Sequence, residues 1–98
     1  MVGGTVMELG GNITLSGFSD RDFAAMIVVK KVVGQYARKL HDAHEDFSHL
    51  KITLKVTKNQ FELHAQAEFD GNLVTSEITD HNLFVGLDSV LKKITAQV

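Results

Sequence analysis

Two groups of residues have types and spacing that could do chemistry. The first is His41-Asp42-Ala43-His44-Glu45-Asp46. Two histidines three apart on a helix share a side, so they could grip one metal ion with a neighbouring carboxylate as third ligand. The same residues have a plainer reading. Imidazoles are favourable at the negative end of a helix, and the surrounding acids are typical of a solvated loop. The second group is Glu62 and Glu77, which neighbouring strands could bring together. Carboxylates at that distance raise each other's pKa, as acid–base catalysis requires. Paired surface acids on a sheet are otherwise structural. The remaining histidines, His49, His64 and His81, are scattered over expected loops or a polar sheet face.

The rest of the chain offers reaction chemistry little. It has no cysteine, which removes disulfides, thiolate metal sites and cysteine nucleophiles together. No GxGxxG, P-loop, GxSxG, HExxH or zinc pattern occurs. The reading is therefore of a protein that is not an enzyme and carries no cofactor or resident metal. With 98 residues, the expectation is a single domain over 1–98, because two cores would not fit. At 44% hydrophobic and 22% charged residues, the composition is that of a globular protein with one buried core. The longest apolar stretch, Phe23 to Val29, is too short to span a bilayer, so no membrane partner is expected. No signal-peptide pattern opens the chain, and with the lack of cysteine this favours a cytoplasmic setting. The Gly-rich residues 1–5 read as a flexible or added leader, with a native start at Met7 as an option. The net charge of −2 divides evenly: each half of the chain has five basic and six acidic residues. A strong nonspecific nucleic-acid binder usually carries a basic balance, so any such function must rest on a local face.

The elements that would position these residues are legible from periodicity. Val6 to Leu15 reads as a first strand, interrupted at Gly10-Gly11 by a bulge or bend. Ser19 is the expected N-cap of a long helix from about Asp20 to His44. Asp20 and Asp22 sit in its first turn, and Phe18 and Phe23 form a hydrophobic staple. Met26, Val29, Val33, Tyr36, Ala37 and Leu40 gather on one side of that helix. Ile27, Lys31, Gly34, Gln35 and Arg38 lie opposite, flanked by Lys30 and Lys39. Ile27 and Val28 fall off the apolar stripe. Either the sheet edge wraps a broad stripe, or they form a contact surface for another chain. Strands follow at Leu50–Val56, Phe61–Phe69 and about Leu73–Thr79. Leu50, Ile52, Leu54 and Val56 point inward in the first of these, and Phe61, Leu63, Ala65, Ala67 and Phe69 in the second. Val74, Ser76 and Ile78 do so in the third. Asp70-Gly71 is a hairpin turn signal. Lys51 and Lys55 are expected to pair with Glu62, Glu68 or Glu77 across the outer face. Asp80 or Asn82 caps a last helix, whose buried stripe is Leu83, Phe84, Leu87, Val90, Leu91 and Ile94. The sum is an α+β fold of order β-α-β-β-β-α. It has one four-stranded, mainly antiparallel sheet with two helices packed on one face.

The last helix carries a family resemblance. Asn82-Leu83-Phe84-Val85-Gly86-Leu87-Asp88, followed by Val90 and Lys93-Ile94, resembles the "D-x-Y-A-A-I-D…K-L" helix of the ribosome hibernation factors. These are the hibernation-promoting factor and ribosome-associated inhibitor group, also called sigma-54 modulation proteins. Phe61 to Glu68 resembles their third strand, Asn12-Ile13-Thr14 their first, and Lys30-Lys31 falls where they often have a "K-K" in helix one. The element order is also theirs. The family binds the small ribosomal subunit in the mRNA and tRNA channel through basic residues of both helices. On matching positions the resemblance implicates Lys30, Lys31 and Lys93. The residues themselves add Arg38, one heptad beyond Lys31 on the same face, and Lys39 and Lys92 as neighbours. Such cations neutralise phosphates and make binding salt-dependent without base specificity. They would equally suit a solvated helix face. The chain departs from the family in a longer first helix, in apolar Ile27, Val28 and Val32, and in fewer basic positions. The functional expectation is an RNA- or ribosome-binding domain, with rRNA or the small subunit as partner. The alternative is a protein-interaction or homodimerisation module with no nucleic-acid role, using the polar sheet face, an unpaired edge strand or the Ile27/Val28 patch.

Overall fold

A computed structural model of the chain describes residues 6–9, 12–18 and 22–98. The elements run β1 (Val6–Leu9), β2 (Ile13–Ser16), α1 (Phe23–Ala43), β3 (Phe47–Thr57), β4 (Gln60–Phe69), β5 (Asn72–Asp80) and α2 (Leu83–Gln97). The expected α+β class and element order hold. One correction concerns the first strand. Val6 to Leu15 is not a single interrupted strand but an antiparallel pair, Leu9 standing opposite Ile13, so the sheet has five strands in the order β1-β2-β3-β4-β5. A Gly-Gly-Asn sequence between two short strands is turn composition, and it suits reversal of the chain as well as a bulge. The expected bulge at Gly10-Gly11, the Ser19 cap, Asp20 and the leader at 1–5 lie outside the described residues.

The β2–β3 pair is parallel, and α1 makes the crossover that parallel neighbours require. The β1–β2, β3–β4 and β4–β5 pairs are antiparallel. Register aligns the core in rows across the sheet. Leu15, Ile52, Ala65 and Ser76 form one row; Ile13, Leu50, Ala67 and Val74 form the next. The small Ala65 and Ala67 at the centre leave room for the helices above. The turn at Asp70-Gly71 has positive φ at both residues, as its sequence anticipates. Gly17 is also held at positive φ, 85°, and a Cβ there would run into the Leu54 carbonyl. A glycine is required at that point, where the chain leaves β2 beside β3.

Both helices lay their apolar stripes on the same sheet face. The buried residues of α1 are Met26, Val29, Val33, Tyr36, Ala37 and Leu40, the stripe read from periodicity. In α2 they are Leu83, Gly86, Leu87, Val90, Leu91 and Ile94. Phe84 is a correction, because it is 41% exposed rather than part of the stripe. Gly86 takes the buried position beside Leu63 instead, where a side chain would collide. Val56 is likewise exposed, since it lies near the far end of β3 beyond the cover of the helices. The α1 cap is Asp22, whose Oδ1 accepts from Ala25 N at 2.6 Å, so the helix begins at Phe23. Phe23 is then 82% exposed and forms no staple with the fully buried Phe18. Ile27 and Val28 are also exposed, and the sheet edge does not wrap them.

Candidate nucleic-acid interface

The cations named from sequence all sit on the helical layer, and the open sheet face is a separate surface. Between α1 and α2 runs a groove of about 400 Å³ lined by Tyr36, Lys39, Leu40, Ala43, His44, Lys92, Thr95 and Val98. Tyr36 belongs to the buried stripe of α1, yet its phenol reaches the groove and donates to Asp88 Oδ1 at 2.7 Å. Lys92, one turn beyond Asp88, places Nζ 3.1 Å from Asp88 Oδ2. Lys39 lies on the α1 side with Nζ 5.1 Å from the centre of the Tyr36 ring, a cation–π distance. Two of the six cations, Lys39 and Lys92, therefore meet at the groove.

The electrostatics follow from these contacts. Burial and then the bond to the Asp88 carboxylate push the Tyr36 phenol up to about 12. The Tyr36 bond and then the Lys92 bond hold the Asp88 carboxyl below its ordinary value, with Lys39 adding attraction. Asp88 therefore stays ionised and Tyr36 neutral across the physiological range.

The other four cations stand elsewhere. At ~100° per residue, Lys31 and Arg38 share one exposed flank of α1 and Lys30 lies towards the β2 side. Arg38 lines a recess with Asn12, Ile13, Gly34, Ala37, His41 and Asp42. Lys93 lies on the far side of α2, with Nζ donating to the Glu77 backbone carbonyl at 3.2 Å on the edge strand β5. The structure thus joins Lys39 to Lys92 and leaves Lys30, Lys31 and Arg38 as a second group, with Lys93 apart from both.

The candidate reactive groups take other forms. His41 Nδ1 lies 3.8 Å from Asp42 Oδ1 in solvent, whereas the His44 ring packs edge-on against Phe69 with ring centres 5.3 Å apart. The two imidazoles do not converge, and among the described residues no three histidines or acids could hold a metal ion. Glu62 and Glu77 are not directly opposite: Glu62 pairs with Thr79, and Glu77 with His64. His64 stands between them, at 3.6 Å from Glu62 and 3.3 Å from Glu77. Lys55 lies opposite Glu62 in register, and Lys51 opposite Gln66. Sequence reasoning did not anticipate the Tyr36–Asp88 bond, which joins residues 52 apart in the chain. The available signal was Tyr36 itself, a polar-tipped residue in an apolar stripe whose hydroxyl needs a partner.

No family model matches the sequence, and no curated protein matches it. Solved structures do match in fold. A ribosomal subunit interface protein from Coxiella burnetii aligns with a TM-score of 0.66 at 14% identity, over 88% of this chain and 89% of that one. The N-terminal domain of Protein Y from Thermus thermophilus aligns with a TM-score of 0.62 at 20% identity, over 93% of this chain and 94% of that domain. At these identities the likeness is one of fold, and it extends over nearly the whole chain.

Proposed function

We propose that this chain is a non-enzymatic, cytoplasmic ribosome-binding domain that contacts rRNA of the small subunit through the basic faces of its helices. The observation that carries the reading is the fold match to a ribosomal subunit interface protein over nearly nine-tenths of both chains. The helical layer supplies the required chemistry: Lys30, Lys31, Arg38, Lys39, Lys92 and Lys93 are all exposed on it. Cations of this kind bind the phosphate backbone by releasing counterions, which suits a chain of net charge −2 whose attraction must be local. No described helix is long and apolar enough to cross a membrane. The test is co-sedimentation with purified small ribosomal subunits at low salt. The wild-type chain should pellet with the subunits, and Lys31→Glu combined with Arg38→Glu should release it. Failure to pellet at any salt concentration defeats the reading.

A second reading rests on the exposed Phe23, Ile27 and Val28 at the start of α1, with Ile27 54% exposed. In this reading the chain is a homodimerisation or protein-interaction module. Sedimentation should then show a mass that rises with concentration and falls back in Ile27→Asp. A strict monomer at high concentration counts against it.

A further inference from the structure

We propose that Asp88, although acidic, is a positioning residue for anion binding: it holds Lys39 and Lys92 on facing sides of the interhelical groove so that one backbone phosphate is received by both. This inference rests on the ribosome-binding reading above. Each carboxylate oxygen is engaged by a different helix. Oδ1 accepts from Tyr36 of α1 at 2.7 Å, and Oδ2 meets Lys92 of α2 at 3.1 Å. The same phenol ring carries Lys39 above it, at 5.1 Å. One carboxylate therefore ties the two helices together, contacts the Lys92 ammonium directly and meets the Lys39 ammonium through the Tyr36 side chain that both engage. Lysine stems are long and lose much rotamer freedom when a phosphate is bound, so pre-placement lowers the cost of binding. The Asp88 contact takes one of the three N–H groups of Lys92 and leaves the others for a ligand. With Lys39 and Lys92 against Asp88, the cluster retains one net positive charge. Leu40, Ala43 and Val98 supply an apolar lining, which strengthens charge interactions above it.

Electrostatics alone and positioning predict opposite signs, and this makes the inference testable. Removing a carboxylate from an anion site should tighten binding if Asp88 only opposes the ligand. It should weaken binding if Asp88 places the lysines. The experiment measures sedimentation of the full chain with purified small ribosomal subunits across stepped potassium chloride. It compares wild type with Asp88→Asn, Tyr36→Phe and Glu45→Gln. Glu45→Gln removes one negative charge from an exposed residue that does not itself line the groove. Asp88→Asn should bind several-fold more weakly than wild type, with a salt slope shallower by about one for the lost phosphate contact. Glu45→Gln should bind no more weakly than wild type. Tyr36→Phe keeps the ring and every charge, so it decides the matter even if Asp88→Asn unfolds; it too should weaken binding. Unchanged affinity in Tyr36→Phe, or binding by folded Asp88→Asn as tight as by Glu45→Gln, overturns the inference while leaving ribosome binding intact. A wild-type chain that binds no subunits overturns both.

Discussion

The Tyr36 phenol on α1 donates to Asp88 Oδ1 on α2 at 2.7 Å, linking the two helices by a side-chain bond between residues 52 apart in sequence. This bond is linked to pH at both ends of the scale. The phenol, raised from 10.0 to about 12, stabilises the fold in its neutral form. That contribution is complete below pH 10 and is lost as pH rises through about 12. Tyr36 is the sole tyrosine, so phenolate absorbance reports it alone. Alkaline titration should show ionisation near pH 12 in step with loss of stability, and an unfolded chain should ionise near 10. Ionisation of the folded chain near 10 would show the phenol neither buried nor bonded to Asp88.

At the acid end the sign reverses. Asp88 is held below its ordinary 3.8, first by Tyr36 and then by Lys92. Its contribution is present above that value and disappears as pH falls through the lowered one. Because the side chain is 45% exposed, the effect is small. Asp88→Asn should flatten the acid limb of a denaturation-midpoint profile, and an unaltered limb would assign that limb to other carboxylates.

The two helical glycines should respond oppositely to alanine. A Cβ at Gly34 meets nothing within 4 Å, so Gly34→Ala should stabilise the fold by about 0.5–1 kcal/mol through helix propensity. A Cβ at Gly86 would lie 2.9 Å from Leu63 Cδ1 and 3.3 Å from Asp80 Cβ. Leu63 is fully buried and has little room to give, so overpacking of about 1–3 kcal/mol should outweigh the propensity gain. Urea denaturation of the two variants measures the contrast; equal stabilisation of both would mean that β4 yields to the added methyl.

Lys93 and Gln97 should seal the sheet edge. Lys93 Nζ donates to Glu77 O and Gln97 Nε2 to Thr75 O at 2.9 Å, covering backbone acceptors on β5 that another strand would otherwise find. Lys93→Ala with Gln97→Ala should produce concentration-dependent association in analytical ultracentrifugation. A double variant that stays monomeric throughout denies the edge this role.

Capping provides a direct test of where the helices start. Asp22→Ala should cost about 1 kcal/mol, because Asp22 accepts the Ala25 N–H. Asn82→Ala should cost a similar amount, since its Oδ1 takes both Phe84 N and Val85 N, at 2.9 and 3.1 Å. Thermal unfolding of the two variants measures each loss; no loss in Asp22→Ala would place the cap elsewhere.

Sequence alone determined the repeating parts of this protein. Alternation in Leu50–Val56 and Phe61–Phe69 placed two strands and most of their buried residues, and the stripe from Met26 to Leu40 placed the face of α1. Burial of one face imposes a period on every such element, and a period survives in one dimension. Tertiary structure decided what periodicity does not encode. It split the first strand into an antiparallel pair, turned Phe84 and Val56 outward, gave Gly86 a buried place, and set the α1 cap at Asp22. Each depends on where a neighbouring element ends or how closely it approaches. The same holds for the candidate site. The six cations were legible as residue types on two helices. Only the docking of α2 beside α1 brought Lys39 and Lys92 to one groove and set Asp88 between them, because that contact joins positions with no periodic relation in the chain.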